Sequence, residues 1–466
     1  IVYMRSVSLD GAHPRASWRA SRLARRLRLA VSAVALALVL GTPRVRALDL
    51  DGVDGLNTET IATRERLRVW DNAKRYGAET INERDRNFAK PEGMRAGNYL
   101  IFPEAGAAVT FDDNIFSHDI DKVSDWRSEV TGGIKFQSQL PRHVLDFSLD
   151  GKIVNYLDNP DQDYANVRAK AEGALHFDHA HTLSASVLTA IEHEERNDPS
   201  LPASRQTLTA EGPIEVFHNR AAVGITRDVG RLYGTLSATV ESWDYSDVAA
   251  IDGRTLDQDE RDTERYSSQL KFGYRFSPGY NFVGKLRTLR DENTGSLTTD
   301  RDAWGYEAMA GLAFETNPLL RWRILGGYGV RDYQQSSLAN LTTMLLEADV
   351  QWLPTQRLTI YGTLSRQISE AADIDASGVV QSSAKIRAEY EIYHNLVLTG
   401  GLEVREDEFH GIDRADSIYA ARAGLDYYFT KNWLFTFGYE HQVRDSSDDS
   451  LDMHRNRFMI GAKLRF

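Results

Sequence analysis

From Gly97 onward the chain alternates apolar and polar residues with a period of two, in one short segment after another. Successive side chains of a strand point to opposite faces, so this pattern demands strands with one apolar face and excludes amphipathic helices. In the last segment Phe458, Ile460, Ala462, Leu464 and Phe466 share one parity, while Arg457, Lys463 and Arg465 share the other. Leu396, Leu398, Gly400, Leu402 and Val404 alternate likewise with Thr399, Glu403 and Arg405, and Ala384, Ile386, Ala388 and Tyr390 with Lys385, Arg387 and Glu389. Leu270, Phe272, Tyr274 and Phe276 alternate with Lys271 and Arg275.

The connections alternate too. The tight set is Pro141-Arg142, Asp178 to His181, Val229-Gly230, Pro278-Gly279, Asn317-Pro318, Pro354 to Gln356, His394-Asn395 and Lys431-Asn432, rich in turn formers. The long set is acidic: Asp112 to Asp125, Asp158 to Asp163, Glu192 to Glu211, Asp244 to Glu264, Asp291 to Asp302, Arg331 to Asn340, Glu370 to Ser377, Glu406 to Asp416 and Asp445 to Asp452. Nine loops and eight turns imply about 18 strands, and short turns on one side with longer loops on the other describe an outer-membrane barrel. The expected fold is all-β: a transmembrane antiparallel up-and-down β-barrel over residues 96–466, with both ends on the periplasmic, turn side. Aromatics predict two interfacial girdles, with Trp352, Tyr427, Tyr428, Phe429, Trp433 and Phe435 near turns and Trp243, Tyr245, Tyr266, Tyr333 and Phe409 near loops. A large soluble β-protein with an aromatic core is the competing reading.

A barrel of about 16 to 18 strands leaves an aqueous channel that side chains alone do not fill. The polar parity therefore nominates pore-lining cations: Lys135, Lys271, Arg275, Lys285, Arg287, Arg323, Arg366, Lys385, Arg387, Arg405, Arg422, Lys463 and Arg465. Acids on the same parity are fewer, and rings of Lys and Arg favour anions. Pairing of these charges between neighbouring strands is the plainer reading.

The N-terminus is of another kind. Arg15, Arg19, Arg22, Arg25, Arg26 and Arg28 precede an apolar run from Leu29 to Leu40, and Val45-Arg46-Ala47 puts small residues before a cleavage point. This is the pattern of a secretory signal over residues 1–47. Its removal leaves 46 basic against 66 acidic residues, a formal −20, which argues against a nucleic-acid partner. Residues 48–95 are charge-dense and too poor in apolar surface for a domain, so they are expected to form a partly helical or disordered periplasmic extension with an option to fold back into the pore.

Other chemistry finds little support. There is no Cys, so thiolate metal sites, thiol catalysis and disulfides are excluded. No phosphate-cradling, dinucleotide or zincin motif occurs. His176, His179 and His181 are close enough to ligate a metal but fall at a strand-turn boundary where polar residues belong, and the acidic run Asp445 to Asp452 lacks the glycine and terminal glutamate of a calcium loop. The expectation is a non-enzyme with no cofactor and no metal.

The run Phe102-Pro103, Gly106 and Phe111-Asp112-Asp113-Asn114-Ile115-Phe116, followed by Ser138, Arg142-His143 and Tyr156, resembles the putative β-barrel porin 2 family of proteobacterial outer-membrane proteins. The resemblance covers Gly97 to Phe466, and Phe466, closing an alternating strand, resembles the C-terminal assembly signal of such barrels. It implies an outer-membrane location in a Gram-negative bacterium, contact with lipid and lipopolysaccharide, insertion by the barrel-assembly machinery and, through members associated with exopolysaccharide secretion, periplasmic export components as partners. The expected function is a porin-like channel for polysaccharide or other anionic hydrophilic solutes. The alternative is a non-conducting structural or adhesion barrel that binds lipopolysaccharide or an external partner.

Overall fold

The computed structural model describes residues 80–81, 91–195, 209–295, 301–317, 319–371, 373 and 376–466. The expected signal, and residues 48–79 and 82–90 of the expected extension, lie outside the described residues. Eighteen long antiparallel strands close into one barrel. The first nine are β1 (Tyr99–Asp112), β2 (Asp125–Ser138), β3 (His143–Tyr156), β4 (Tyr164–His176), β5 (His181–Glu194), β6 (Ile214–Val229), β7 (Leu232–Tyr245), β8 (Thr263–Ser277) and β9 (Tyr280–Asn293). They continue as β10 (Ala303–Asn317), β11 (Leu320–Tyr333), β12 (Leu341–Thr355), β13 (Leu358–Ser369), β14 (Gly378–Tyr393), β15 (Leu396–His410), β16 (Arg414–Tyr428), β17 (Trp433–Ser446) and β18 (Met453–Arg465). Each strand pairs with its sequence neighbours, and β18 pairs with β1 from Arg465 opposite Glu104 to Arg457 opposite Asp112.

The tight turns fall where the sequence places them. Two expected turn residues, Val229 and Asn317, remain in strand opposite Leu232 and Leu320, and Pro354 sits in an irregularity of β12 between Trp352 and Thr355, where a missing N–H is tolerated, so that the turn itself follows at Gln356-Arg357. On the loop side the stretch expected as a loop from Glu406 to Asp416 is mostly strand. Arg414 to Asp416 pair with Asp407 to Phe409 in one hairpin, which closes over Gly411 at φ +93.

Along the strands the exposed large apolar side chains share one parity, as Phe272, Phe282, Ile324, Ile386, Leu402 and Ile460 do, except for Tyr393 past the bulge of β14, and the opposite parity faces inward. Such an outside suits hydrocarbon, where only a closed sheet satisfies every backbone group. Among the described residues no helix is long and apolar enough to cross a membrane. The turn-side aromatic girdle is present outward in Trp352, Tyr427, Phe429, Trp433 and Phe435, while Tyr428 takes the inward parity beneath Arg465. The loop-side girdle has different members. Trp243, Tyr245, Tyr333 and Phe409 take the inward parity, Tyr266 stays outward, and Trp126, Trp304, Tyr306, Tyr328 and Tyr419 join it. Near the mouth an aromatic ring has polar partners on the inner side as well, so residue type alone does not assign its face.

The wall bends sharply at β10 and β11. A Cβ on Gly311 would lie 1.8 Å from the Ile324 carbonyl oxygen, and one on Gly327 would lie 1.9 Å from that of Ala308. Glycine is what lets the backbones approach there. Inside this corner Val283, Met309, Ala313, Leu325 and Leu345 form a buried cluster, with Ile368 packed on it.

Candidate functional site in the lumen

Twelve of the thirteen nominated cations take the inward parity: Lys135, Lys271, Arg275, Lys285, Arg287, Arg323, Lys385, Arg387, Arg405, Arg422, Lys463 and Arg465. Arg366 does not. It shares its face with Leu364 and Ile360, pairs in register with Leu346, and donates to Ser382 Oγ at 2.5 Å and Glu408 at 3.1 Å. It stands at the loop end of β13, beyond the apolar band, where an outward charge meets water and headgroups.

Most of the inward cations are paired with carboxylates. Lys385, Glu403, Arg422, Glu440 and Arg457 form a belt of alternating charge across β14 to β18, with Lys385 to Glu403 at 3.0 Å, Arg422 to Glu403 at 2.9 Å and Arg422 to Glu440 at 2.6 Å. Arg275 binds Asp228 at 2.7 Å, Arg287 meets Glu307 at 3.4 Å, Arg323 binds Asp349 at 2.6 Å and Lys463 lies 3.5 Å from Glu104. Arg387 joins Glu389 at 2.6 Å and Arg405 joins Asp407 at 3.1 Å. Lys285 reaches Glu347, three strands away, a chord across the bent corner. Arg465 lies over the Tyr428 ring. Despite facing inward, the Lys385, Arg387 and Arg422 side chains remain 51 %, 43 % and 37 % exposed.

Toward the loop end the lumen narrows. The β1–β2 loop folds in, so that Ile115 packs with Val154, Tyr156 and Tyr164 under Phe116 and Val123. The β13–β14 loop does the same, with Ala371 and Ala376 against Val379, Phe409 and Ile412. Arg265 holds it by binding Glu370 at 2.6 Å and Asp291 at 2.5 Å, and Arg301 donates to the Ala376 carbonyl at 2.8 Å. Opposite, Glu195 sits between Arg127 at 2.5 Å and Arg455 at 3.2 Å. Burial opposes its charge, but Arg127 and Arg455 outweigh that and hold its carboxyl well below the usual glutamate range.

The Asp112-Asp113-Asn114 run at the end of β1 has a structural task that periodicity does not reveal. Arg455 Nε bonds both Asp112 oxygens, at 3.1 and 2.8 Å, on the inner face. Asp113 accepts from the Asn456 amide and side chain at 2.6 Å, and Asn114 donates to the His454 carbonyl at 2.9 Å. Together they carry the β1–β18 seam past its last ladder pair. The spacing of acids and Asn just beyond an apolar strand was the available signal.

At the turn end, Thr80 and Ile81 are buried, and the Ile81 amide donates to Thr359 Oγ at 3.3 Å. Thr359 is itself buried on the inward parity of β13, so the segment before the barrel reaches inside it. Glu92 meets Lys431 of the β16–β17 turn at 2.9 Å.

Two histidines at the β4–β5 turn, His176 and His181, are engaged locally. His181 bonds Asp178 at 2.9 Å, and with the Ala180 amide it lowers that carboxyl to about 2, while His176 bonds Thr182. In the last loop Asp448 accepts from the Ser450 amide and Asp452 from that of Ser446, as turn caps do. Asp247, Asp257 and Asp259 bring carboxylate oxygens within 4.8 Å in the β7–β8 loop, an exposed acidic group of an ordinary kind.

Among known proteins, residues 68–466 match the family described as putative beta-barrel porin 2, a match that begins within the expected N-terminal extension. No curated protein matches the chain. Among solved structures, Pseudomonas aeruginosa OpdL is similar at 13 % identity over 80 % of this chain and 100 % of its own, with a TM-score of 0.42. P. aeruginosa OpdO is similar at 13 % over 79 % and 98 %, TM-score 0.45. The Acinetobacter baumannii siderophore receptor PiuA is similar at 8 % over 80 % and 82 %, TM-score 0.42. At these values the likeness supports no functional comparison.

Proposed function

Since the chain belongs to the putative beta-barrel porin 2 family, we propose that it is a porin-like channel of the outer membrane that passes hydrophilic solutes. One observation carries the reading: inside a closed barrel with an apolar exterior, the inward side chains of Lys385, Arg387 and Arg422 stay substantially open to solvent. A packed protein interior would bury or neutralise such groups rather than leave them wet. Polysaccharide and other anionic solutes suit the inward cations. Because most of these cations carry a carboxylate partner, the belt offers both signs of charge to a passing solute and selects by hydrogen bonding and size more than by net charge. The reading needs no covalent chemistry. Lipid and lipopolysaccharide outside, and the barrel-assembly machinery reading Phe466, are the partners it requires.

A non-conducting barrel is favoured by a separate observation, the inward packing of the β1–β2 and β13–β14 loops together with Ile81 at the other end. Single-channel recording in planar bilayers separates the two. Stepwise currents through the refolded mature chain support the channel, and silence from both the mature chain and a form lacking residues 48–91 would move the assignment to a structural barrel.

A further inference from the structure

Glu195 is held as a ligand is held. It follows β5 directly, and its Oε1 accepts from Arg127 Nη1 at 2.5 Å and Tyr164 OH at 3.2 Å, while Oε2 accepts from Arg455 Nη2 at 3.2 Å. These donors come from β2, β4 and β18 on the inner wall. The Arg127 and Arg455 side chains are 3 % and 1 % exposed but Glu195 is 15 % exposed, so the carboxylate is the solvent-side member and the arginines are the floor. Both guanidiniums have donors to spare. Among the described residues Arg127 Nε and Arg455 Nη1 are buried and donate to nothing.

The charge balance also depends on Glu195. Arg127, Arg455 and Lys152, whose Nζ lies 3.3 Å from Tyr164 OH, face Asp112, Glu129 and Glu195. Arg457, next in reach, is committed to Glu440. Without Glu195 the group keeps one uncompensated positive charge on a dry floor, a state that costs far more than an exposed one. Two guanidiniums and a phenol converging on two oxygens form the geometry that recognises a carboxylate, and the missing charge is that of one monoanion.

We propose that this basket at the external mouth is a binding site for the carboxylate of a hydrophilic monoanionic solute, such as a sugar acid, and that Glu195 occupies it as a tethered stand-in until a solute replaces it. The proposal rests on the channel reading, for it supplies the lumen with its first solute contact. A strut that merely braced the mouth would need Glu195 itself, whereas a carboxylate site is filled equally well by a free carboxylate.

The test is calorimetric titration of glucuronate into the detergent-refolded mature chain, with glucose as the uncharged control, followed by the same proteins in bilayers. Glu195→Ala should bind glucuronate at least about ten-fold more tightly than the wild type, because a tethered group competes at millimolar or higher effective concentration. Glucose should not bind, and adding Arg127→Met should abolish the gain. Glu195→Gln, which keeps the side-chain volume, should give a smaller gain and answers the question if the alanine variant does not fold. Equal or absent glucuronate binding in wild type and both Glu195 variants would overturn the site whether or not the barrel conducts. Tight binding with bilayers that stay silent also after removal of residues 48–91 would leave the site standing and refute the channel.

Discussion

Replacing Asp112 with alanine should open the barrel at its seam. The β1–β18 ladder ends where Asp112 faces Arg457, and beyond it Arg455 grips both Asp112 oxygens with side chains 1 % and 0 % exposed. Removing one member of such a pair strands a charge that cannot reach water, and the usual cost is about 3–5 kcal/mol. Arg455 keeps Glu195 at 3.2 Å as a second partner, so the lower end, about 3 kcal/mol, is expected. That is roughly a hundred-fold or more in the folding equilibrium, at about 1.4 kcal/mol per factor of ten. Urea unfolding in lipid vesicles, followed by tryptophan fluorescence, would measure it. Because the cost lies in the orphaned guanidinium, Arg455→Met added to Asp112→Ala should recover most of the loss. A single variant within about 1 kcal/mol of wild type, the worth of an exposed pair, would refute the reasoning. So would a double variant no better than the single one.

Gly311→Ala should destabilise the barrel by about 1–3 kcal/mol or prevent its refolding, since its Cβ would meet backbone that cannot yield, while Gly400→Ala, with nothing within 4 Å, should be near neutral in the same unfolding assay. Arg422→Gln leaves Glu403 and Glu440 without their shared cation, so the reversal potential in a salt gradient should move toward cation preference; no movement would show that the belt does not line the conducting path. Glu195 is depressed in the folded state, so its pairing stabilises fully above the unfolded glutamate value of about 4.3 and is lost as pH falls below it toward the folded value. The advantage of wild type over Glu195→Gln in urea should therefore shrink steadily on acidification from about pH 5, and a constant gap would contradict it. Deleting residues 48–91 should raise unitary conductance by freeing the lumen beside Thr359, and unchanged conductance would contradict a blocking role for Ile81.

The inward cations were legible because sheet geometry has a strict period of two and hydrocarbon penalises a charge on the outer parity of a mid-membrane segment. Arg366 escaped that logic at the end of β13, above the apolar band, where either face is wet. Trp243, Tyr245, Tyr333 and Phe409 escaped it too, since rings with a polar partner are stable on both sides near the mouth: Tyr245 lies under Arg261, and Trp243 stacks on His218. Glu195 could not have been singled out, being one acid in a loop of acids.

What the amino-acid order determined by itself was local and periodic: the strands, their apolar faces, the alternation of turns and loops, and through them the closed barrel. Those features follow from neighbours one and two residues apart, which the chain carries in its own order. Tertiary structure alone decided what depends on side chains and backbones that only the closed sheet brings together: the Asp112–Arg455 seam, the belt from Lys385 to Arg457, the glycine corner, Ile81 beside Thr359, and the arginines around Glu195. Closing the sheet sets which side chains share the lumen, and only that shared space turns separate charges into a site.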